Sequence, residues 1–157
     1  IKDHVVICGH GRVGREVRSL LELGEVPYFV IDVDRRVVDS LINTGRKAIY
    51  GDPSDIDILR SANVDTAKAI VLAIPSGLAQ KSIIKSSLKL NPKLLIFVRS
   101  HDDADKYELV NLGVNKIINP EVESGIILGK SVLEVFGMEN SKINDLINRV
   151  RKFYVVS

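Results

Sequence analysis

Three glycines and an aspartate near the amino terminus have the types and spacing of a site for phosphate and ribose. Gly9, Gly11 and Gly14 follow the apolar run 5–8 in the pattern Gly-x-Gly-x-x-Gly, and Asp32 lies 18 residues beyond Gly14. In this pattern the first glycine permits a tight turn, the second lets a pyrophosphate approach the backbone, and the third lets the next helix pack closely. The N–H groups at the start of that helix favour the negative charge of a phosphate.

The residues between the glycines add one side chain suited to an anion. Arg12 lies at the predicted start of the helix, where a cation is unfavourable unless an anion is bound nearby. We interpret Arg12 as a phosphate contact, and the alternative is a solvated surface arginine. His10 and Val13 belong to the same loop and are counted among its predicted nucleotide contacts, although we expect the His10 side chain to point to solvent and to perform no chemistry.

Asp32 ends a second apolar run, 28–31, and the next residue, Val33, is also a predicted nucleotide contact. A carboxylate at this place accepts hydrogen bonds from both hydroxyls of an adenosine ribose. It also repels the 2′-phosphate of NADP, although Arg35 and Arg36 lie close enough in the chain to soften that repulsion. The alternative to nucleotide binding is a plain strand–turn–helix with three structural glycines, and the position of Asp32 counts against it.

Strand and helix patterns alternate along the chain and predict one α/β fold. Six strand-like runs are continuously apolar, which is typical of parallel strands that are buried on both faces. With right-handed crossovers, these strands and their intervening helices give a Rossmann-like, doubly wound six-stranded parallel sheet with C-terminal helices. We place the nucleotide-binding domain at 1–120 and dimerisation helices at 121–157. The predicted strands are 4–9, 27–32, 47–50, 69–74, 94–98 and 115–118, and the predicted helices are 12–23, 34–44, 55–61, 78–90, 103–112, 122–136 and 140–151.

Ligands of doubly wound sheets bind beyond the carboxyl ends of the strands. Asp52 follows the third strand, where it either accepts a hydrogen bond from an adenine amino group or caps the next helix. Ser54 is the alternative cap of that helix. Arg99 ends the fifth strand and is either a second anion contact or the ion-pair partner of Asp102 or Asp103. The other predicted contacts in these loops are Pro53, Ala73 and Ile74.

The composition limits the class of protein. The chain has 157 residues, 45% of them hydrophobic and 27% charged, which suits one domain with a real core. A net charge of +2 and few aromatic residues give no case for binding nucleic acid. The single cysteine, Cys8, cannot form an internal disulfide, which predicts an intracellular protein. No apolar run reaches the roughly 18 residues of a membrane span and no signal peptide is recognisable. Ile1 in place of Met suggests a piece cut from a longer chain, which leaves room for a membrane portion upstream.

Several stretches spread over the chain resemble the TrkA-N or RCK domain, the cytosolic nucleotide-binding regulatory domain of potassium channels and transporters. The loop 72–77 and the segment after Glu121 are most similar to the Kef-type branch, the monovalent cation:proton antiporters. The matching stretches are VICGHGRVG (6–14), VIDVD (30–34), YGDPSD (50–55), LRSANV (59–64), NPKLLIFVR (91–99) and LGVNKIINPE (112–121).

This resemblance implies binding of AMP, ATP or NAD(H) through Gly9, Gly11, Arg12, Gly14 and Asp32. It also implies a homodimer, in which the helix after the sixth strand crosses onto the partner, and attachment to a membrane transporter on the cytoplasmic face of the membrane. The periodicity of 122–136 by itself is equally consistent with docking of that helix on its own domain.

Two further expectations come from the resemblance alone. In Kef-type proteins the residue that matches Arg99 is implicated in sensing a ligand or glutathione, and in ATP-binding relatives the acid that matches Glu121 helps to hold a cation. Pro75 and Ser76 stand where the family has polar residues, which puts contacts to that part of a dinucleotide in doubt.

Two classes of function remain after these arguments. One is a regulatory binding module, and the other is a small NAD-dependent oxidoreductase. Such an enzyme often uses a tyrosine with a lysine four residues later as its proton donor, and none of the tyrosines at 28, 50, 107 and 154 has that partner. The chain also lacks a second domain for a substrate, so we expect the binding module.

Overall fold

The computed structural model describes residues 1–75, 77–101 and 103–152. In this part of the chain, strands and helices alternate as the sequence predicts. The strands are β1 Val5–Cys8, β2 Tyr28–Asp32, β3 Ala48–Tyr50, β4 Ala69–Leu72, β5 Leu95–Arg99 and β6 Lys116–Ile118. The α-helices are α1 Arg12–Leu23, α2 Arg35–Asn43, α3 Ile56–Ser61, α4 Leu78–Leu90, α5 Lys106–Asn111, α6 Pro120–Val135 and α7 Asn140–Lys152.

The six strands form one parallel sheet in the order β3-β2-β1-β4-β5-β6. β1 is central, and its last residue Cys8 pairs with Ile31 of β2 and with Leu72 of β4. The chain order reverses at β1, so the loops after β1 and β4 lie on either side of the crevice where such sheets bind ligands. The predicted Rossmann-like α/β fold is confirmed.

The sheet is buried on both faces by two apolar clusters. Cys8 lies in the cluster that includes Leu59 of α3 and Ile84 of α4, whereas Ile7 lies in the cluster that includes Leu41 of α2. Successive strand residues therefore face opposite helix layers, which explains the continuous apolar runs. Cys8 is a free thiol with no exposed surface, and burial raises its pKa well above the usual range.

The N-cap of α3 differs from the sequence prediction. Asp55 occupies this position, and its carboxylate accepts a hydrogen bond from the N–H of Asp57 at 2.9 Å. The two residues predicted as caps form the preceding turn instead, in which the N–H of Ser54 donates to the carboxylate of Asp52 at 2.8 Å. Because the helix begins at Ile56, only the side chain directly before it reaches the free N–H groups of the first turn.

α6 begins at Pro120, two residues before the predicted start. The side chain of Asn119 accepts hydrogen bonds from the N–H groups of Glu121 and Val122, at 3.1 and 3.3 Å. A proline is favoured at the first helical position because it lacks the N–H that would otherwise need a partner there. The capped asparagine and the proline together fix the start of this helix.

The predicted helix 103–112 consists of a 3₁₀ turn, Asp103–Asp105, followed by α5. Asp102, which precedes this turn and is of a type that favours helix N-caps, lies outside the described residues. Another 3₁₀ turn, Val64–Thr66, joins α3 to β4 and was not predicted. Asn63, which precedes it, has a left-handed backbone with a φ of 53°.

α6 and α7 pack against each other, and Ile126 of α6 and Ile143 of α7 are buried. Among the helices described here, none is both long enough and apolar enough to cross a membrane. The outer face of α6 nevertheless leaves large apolar side chains in solvent. These are Ile127, Leu128, Val132, Val135 and Phe136, with exposed fractions from 56% to 85%.

Candidate nucleotide-binding site

Two of the three glycines in the loop after β1 are required by the backbone. Gly9 has a φ of +92°, and a Cβ atom there would lie 2.8 Å from Cγ2 of Ile74. A Cβ atom on Gly14 would lie 1.9 Å from the carbonyl oxygen of Gly9. These glycines bring α1 close to the ends of β1 and β4.

Gly11 has a different role, because a Cβ atom on it would meet nothing within 4 Å. This residue is exposed and is the N-cap of α1, and no described side chain caps the helix there. The first turn of α1 carries no acidic residue. Arg12 is exposed, and it makes no hydrogen bond or ion pair with any described residue. The start of α1 is thus open to an anion.

Asp32 lies beside this helix start and is oriented by the backbone. One carboxylate oxygen accepts the N–H of His10 at 2.7 Å, and the other accepts the N–H of Asp34 at 2.8 Å. Each oxygen keeps a further lone pair for an outside donor. Val33 follows with 65% of its surface exposed, at the same edge of the sheet.

The His10 side chain does not point to solvent, contrary to expectation. Its ring nitrogen Nε2 lies 2.9 Å from Nε of Arg18, which donates to it, and another nitrogen of Arg18 pairs with Glu22 at 2.6 Å. Burial and then the Arg18 cation lower the pKa of His10. The ring is held along α1 because Arg18, an arginine of that helix whose side chain is mostly buried, reaches back to the loop.

The loops after β4 and β5 are joined by a buried amide. Nε2 of Gln80 donates to the carbonyl oxygens of Ile74 at 3.1 Å and Arg99 at 2.7 Å. The guanidinium of Arg99 reaches the carbonyl of Ala73 at 3.4 Å. Ala73 and Ile74 were predicted as ligand contacts. They therefore lie in a loop that is held in place by Gln80, a residue of α4.

Within the described residues, Arg99 bonds to a histidine and not to Asp103. Its nitrogens Nε and Nη2 lie 3.1 and 2.9 Å from Nε2 of His101, whose Nδ1 lies 2.6 Å from Glu121. Asp103 pairs with Lys106 at 2.6 Å, and Asp102 lies outside the described residues. The pKa of Glu121 is lowered first by its own backbone N–H and then by His101. Glu121 lies in the first turn of α6.

α2 follows β2 and begins with two arginines, both of which have partners in the described chain. Arg35 pairs with Asp39 at 3.8 Å, and its guanidinium lies 5.3 Å from the centre of the Tyr50 ring. Arg36 pairs with Asp34 at 3.2 Å.

After β3, Asp52 is exposed and Pro53 is buried. No group of three or more metal-ligating side chains occurs in the part of the chain that the structure describes.

Residues 5–120 match the model of the TrkA-N domain family. This chain belongs to the TrkA-N domain family. The match covers all six strands of the sheet and ends where α6 begins. The glycine loop, Asp32 and the residues that end β4 and β5 all fall within it.

Two relatives of this TrkA-N domain are named as antiporters. The putative K(+) efflux antiporter KefB of Alkalimonas amylolytica is 28% identical over 151 residues, which are 96% of this chain and 23% of that protein. The putative cation/proton antiporter YbaL of Escherichia coli (strain K12) is 30% identical over 135 residues, which are 86% of this chain and 24% of that protein. This chain thus spans about a quarter of the length of these relatives, which are named as transport proteins and not as enzymes.

Solved structures give the same fold. The crystal structure of the TrkA-N domain of the inner membrane protein YbaL from Escherichia coli superposes with a TM-score of 0.77 at 30% identity, covering 86% of this chain and 97% of that one. The Kef CTD of Shewanella denitrificans in its AMP-bound form has a TM-score of 0.77 at 24% identity, covering 96% of this chain and 91% of that one.

Three residues around the TrkA-N glycine loop and the neighbouring strand ends were missed by sequence reasoning. Arg18, Gln80 and His101 each bond to a predicted site residue or its carbonyl group. Gln80 and Arg18 look like ordinary polar positions of helices in the sequence, and nothing in their spacing marks them. His101 comes two residues after Arg99, and this closeness was the one available signal.

Proposed function

We propose that this TrkA-N domain is a regulatory module of a cation transport protein, which binds an adenine nucleotide at the carboxyl edge of its sheet. The candidate ligands are AMP and NAD(H), with ATP as a further possibility. No reaction is needed for this function, because binding alone shifts the balance between two conformations of unequal affinity. The alternative, an NAD-dependent oxidoreductase, gains no support from relatives that are named as antiporters.

One observation carries this proposal: the uncapped, open start of α1 lies directly beside the oriented carboxylate of Asp32. Phosphate oxygens would accept hydrogen bonds from the free N–H groups of the first turn, from Arg12 to Gly14. The open space over Gly11 would admit them, and the Arg12 side chain, which has no described partner, would reach the same charge.

The adenosine half would lie over the ends of β2 and β4. The free lone pairs of Asp32 suit the two ribose hydroxyls, while Val33 and Ile74 supply apolar surface near the base. Ala73, another predicted contact, is only 4% exposed and would offer little beyond its backbone. Asp52 is exposed at the end of β3, where its second oxygen would accept the adenine amino group.

A 2′-phosphate would meet the negative charge of Asp32. The arginines that could offset this charge, Arg35 and Arg36, already pair with Asp39 and Asp34. We therefore expect NAD to bind better than NADP, as the sequence predicts.

The domain organisation is part of the same proposal. Residues 1–120 would bind the nucleotide, and 121–157 would carry α6 onto a second copy of the chain. The exposed apolar face of α6 supports a homodimer, because large apolar patches in solvent usually mark an interface. The antiporter names of the relatives support attachment to a membrane transporter, on the cytoplasmic side.

Direct titration tests the assignment. We expect calorimetry to detect AMP or NAD⁺ binding to the domain, and Asp32→Ala to weaken it at least about tenfold, since hydrogen bonds to a charged group are lost. Asp39→Ala is the matched control, because it removes an exposed carboxylate of α2 that faces Arg35 and not the loop. Equal affinity of the Asp32→Ala variant, or no binding of any adenine nucleotide by the wild type, would contradict the proposal.

A further inference from the structure

Both the backbone and the side chain of His10 are held by hydrogen bonds. Its backbone N–H donates to Asp32 at 2.7 Å, and its ring nitrogen Nε2 accepts the Nε–H of Arg18 at 2.9 Å. Its neighbours in the chain are Gly9 and Gly11, which have no side chains to restrict the loop. The N–H of Gly9 donates to the carbonyl of Ile31, and the carbonyl of Gly11 accepts from the N–H of Arg15. The two contacts of His10 therefore fix the one residue between these glycines and help to orient the carboxylate of Asp32.

Arg18 is itself firmly placed. Only 11% of its side chain is exposed, and it pairs with Glu22 at 2.6 Å. Glu22 also accepts from Arg46 at 2.7 Å and from the hydroxyl of Tyr28. This network spans α1, the first residue of β2 and the turn after α2, so Arg18 cannot turn away from His10 without disturbing several other bonds.

The contact between His10 and Arg18 exists in only one protonation state of the ring. Nε2 accepts a hydrogen bond only while it carries no proton. An imidazolium would present an N–H to the guanidinium of Arg18, which is itself a donor. It would also add positive charge near Arg15 and Arg46, whereas the carboxylate of Asp32 on β2 would attract it. Acid therefore breaks the bond and repels the two side chains from each other.

We propose that Arg18 is a positioning residue of the nucleotide site, which holds the neutral ring of His10 and thereby the glycine loop and Asp32 in the arrangement that receives the ligand. This role rests on the proposed function, and Arg18 acts through His10 without touching the nucleotide.

The sign of the pH dependence separates this role from simple charge attraction. An imidazolium close to a phosphate would attract it, so attraction alone predicts tighter binding in acid. Loss of the contact with Arg18 predicts weaker binding in acid. The two mechanisms thus give opposite slopes over the range in which His10 titrates.

The unliganded protein provides the first readout. NMR titration of the His10 ring should show a pKa that rises in Arg18→Met, because a hydrogen bond to the neutral ring and a neighbouring cation are both removed. Arg15→Met is the matched control: this residue is three positions earlier on α1, its charge also acts on His10, and its guanidinium bonds to Glu16 instead. A rise no larger in Arg18→Met than in Arg15→Met would overturn the inference.

Calorimetry with NAD⁺ between about pH 5.5 and 7.5 provides the second readout. NAD⁺ is the probe because the terminal phosphate of AMP itself gains a proton near pH 6, as phosphate monoesters do. We expect the affinity of the wild type to fall towards the acid end of this range, by less than about tenfold because the pKa of His10 is already lowered. Arg18→Met should bind about tenfold more weakly at neutral pH with a flat profile. His10→Phe should be flat as well, whereas Arg15→Met should keep the slope of the wild type.

The outcomes distinguish the two proposals. Tighter binding in acid, or the wild-type slope in Arg18→Met, would overturn the positioning role while leaving the nucleotide site intact. Failure of the wild type to bind NAD⁺ or AMP at any pH would overturn the proposed function, and the positioning role with it.

Discussion

A Cβ atom on Gly14 would lie 1.9 Å from the carbonyl oxygen of Gly9, so α1 can approach the loop only without a side chain at this position. Gly14→Ala should therefore destabilise the domain by about 3 kcal/mol, the upper range for overpacking a close contact. Urea unfolding measures this loss. Gly125→Ala is the control, because it places the same methyl group on α6 in open space and should leave stability unchanged or slightly higher. Equal stability of the two variants would contradict the packing argument.

Gly11→Val should separate binding from folding. Gly11 has a φ of −81° and open space where its side chain would be, so valine should change the free energy of unfolding by no more than about 1 kcal/mol. The isopropyl group would fill the space over the start of α1 and abolish nucleotide binding. Calorimetry on a variant with a normal thermal transition checks this, and unchanged affinity would refute the phosphate position.

The carboxylate of Glu22 should make the free energy of unfolding depend on pH. Hydrogen bonds from Arg46, then Tyr28 and Arg18, lower its pKa from 4.5 to about 2. A depressed carboxylate stabilises the fold fully above its unfolded pKa and loses that effect as the pH falls through its folded pKa. Glu22→Gln should therefore be less stable by about 1–3 kcal/mol at neutral pH, and the difference should shrink between about pH 4.5 and 2.

Urea midpoints measured across this range test the role of Glu22. Glu16→Gln is the matched control on α1, because Glu16 is mostly exposed and its one described contact is Arg15 at 3.4 Å. A gap between wild type and Glu22→Gln that stays constant down to about pH 2.5 would contradict the depressed pKa.

The face of α6 should set the oligomeric state. Phe136→Glu places a charge on the proposed interface, where the phenylalanine is 81% exposed in the single chain. We expect light scattering to show a monomer for this variant and a dimer for the wild type. Leu23→Glu is matched in exposure, at 83%, but lies on α1 and should remain dimeric.

Deleting residues 122–157 should likewise give a monomer or an insoluble domain. A soluble dimer formed by this truncated chain, or by Phe136→Glu, would exclude α6 as the contact.

The parts of the site that were predictable are those in which the backbone dictates the residue type. Gly9 and Gly14 are required by a positive φ or by a close approach, and these requirements are recorded directly in the sequence. Asp32 was predictable because the strand before it is apolar and the helix after it is amphipathic. The same periodicities gave the order of strands and helices.

The parts that were not predictable depend on side-chain geometry. Asp52, Ser54 and Asp55 are all good capping residues, and only the start of α3 decides between them. The bond between His10 and Arg18 joins a loop to a later turn of a helix, and its existence depends on the rotamers of both residues. Local propensity carries no information on such contacts.

Cys8 gives the protein a built-in reporter of its own opening. It is the single cysteine of the chain, and it lies fully buried in the central strand between β2 and β4. A thiol reagent can reach it only when the middle of the sheet opens, so its labelling rate under native conditions measures that opening free energy. The effects of ligand binding and of each substitution on this opening can thus be compared through the rate at which Cys8 is modified, without engineering a further cysteine into the chain.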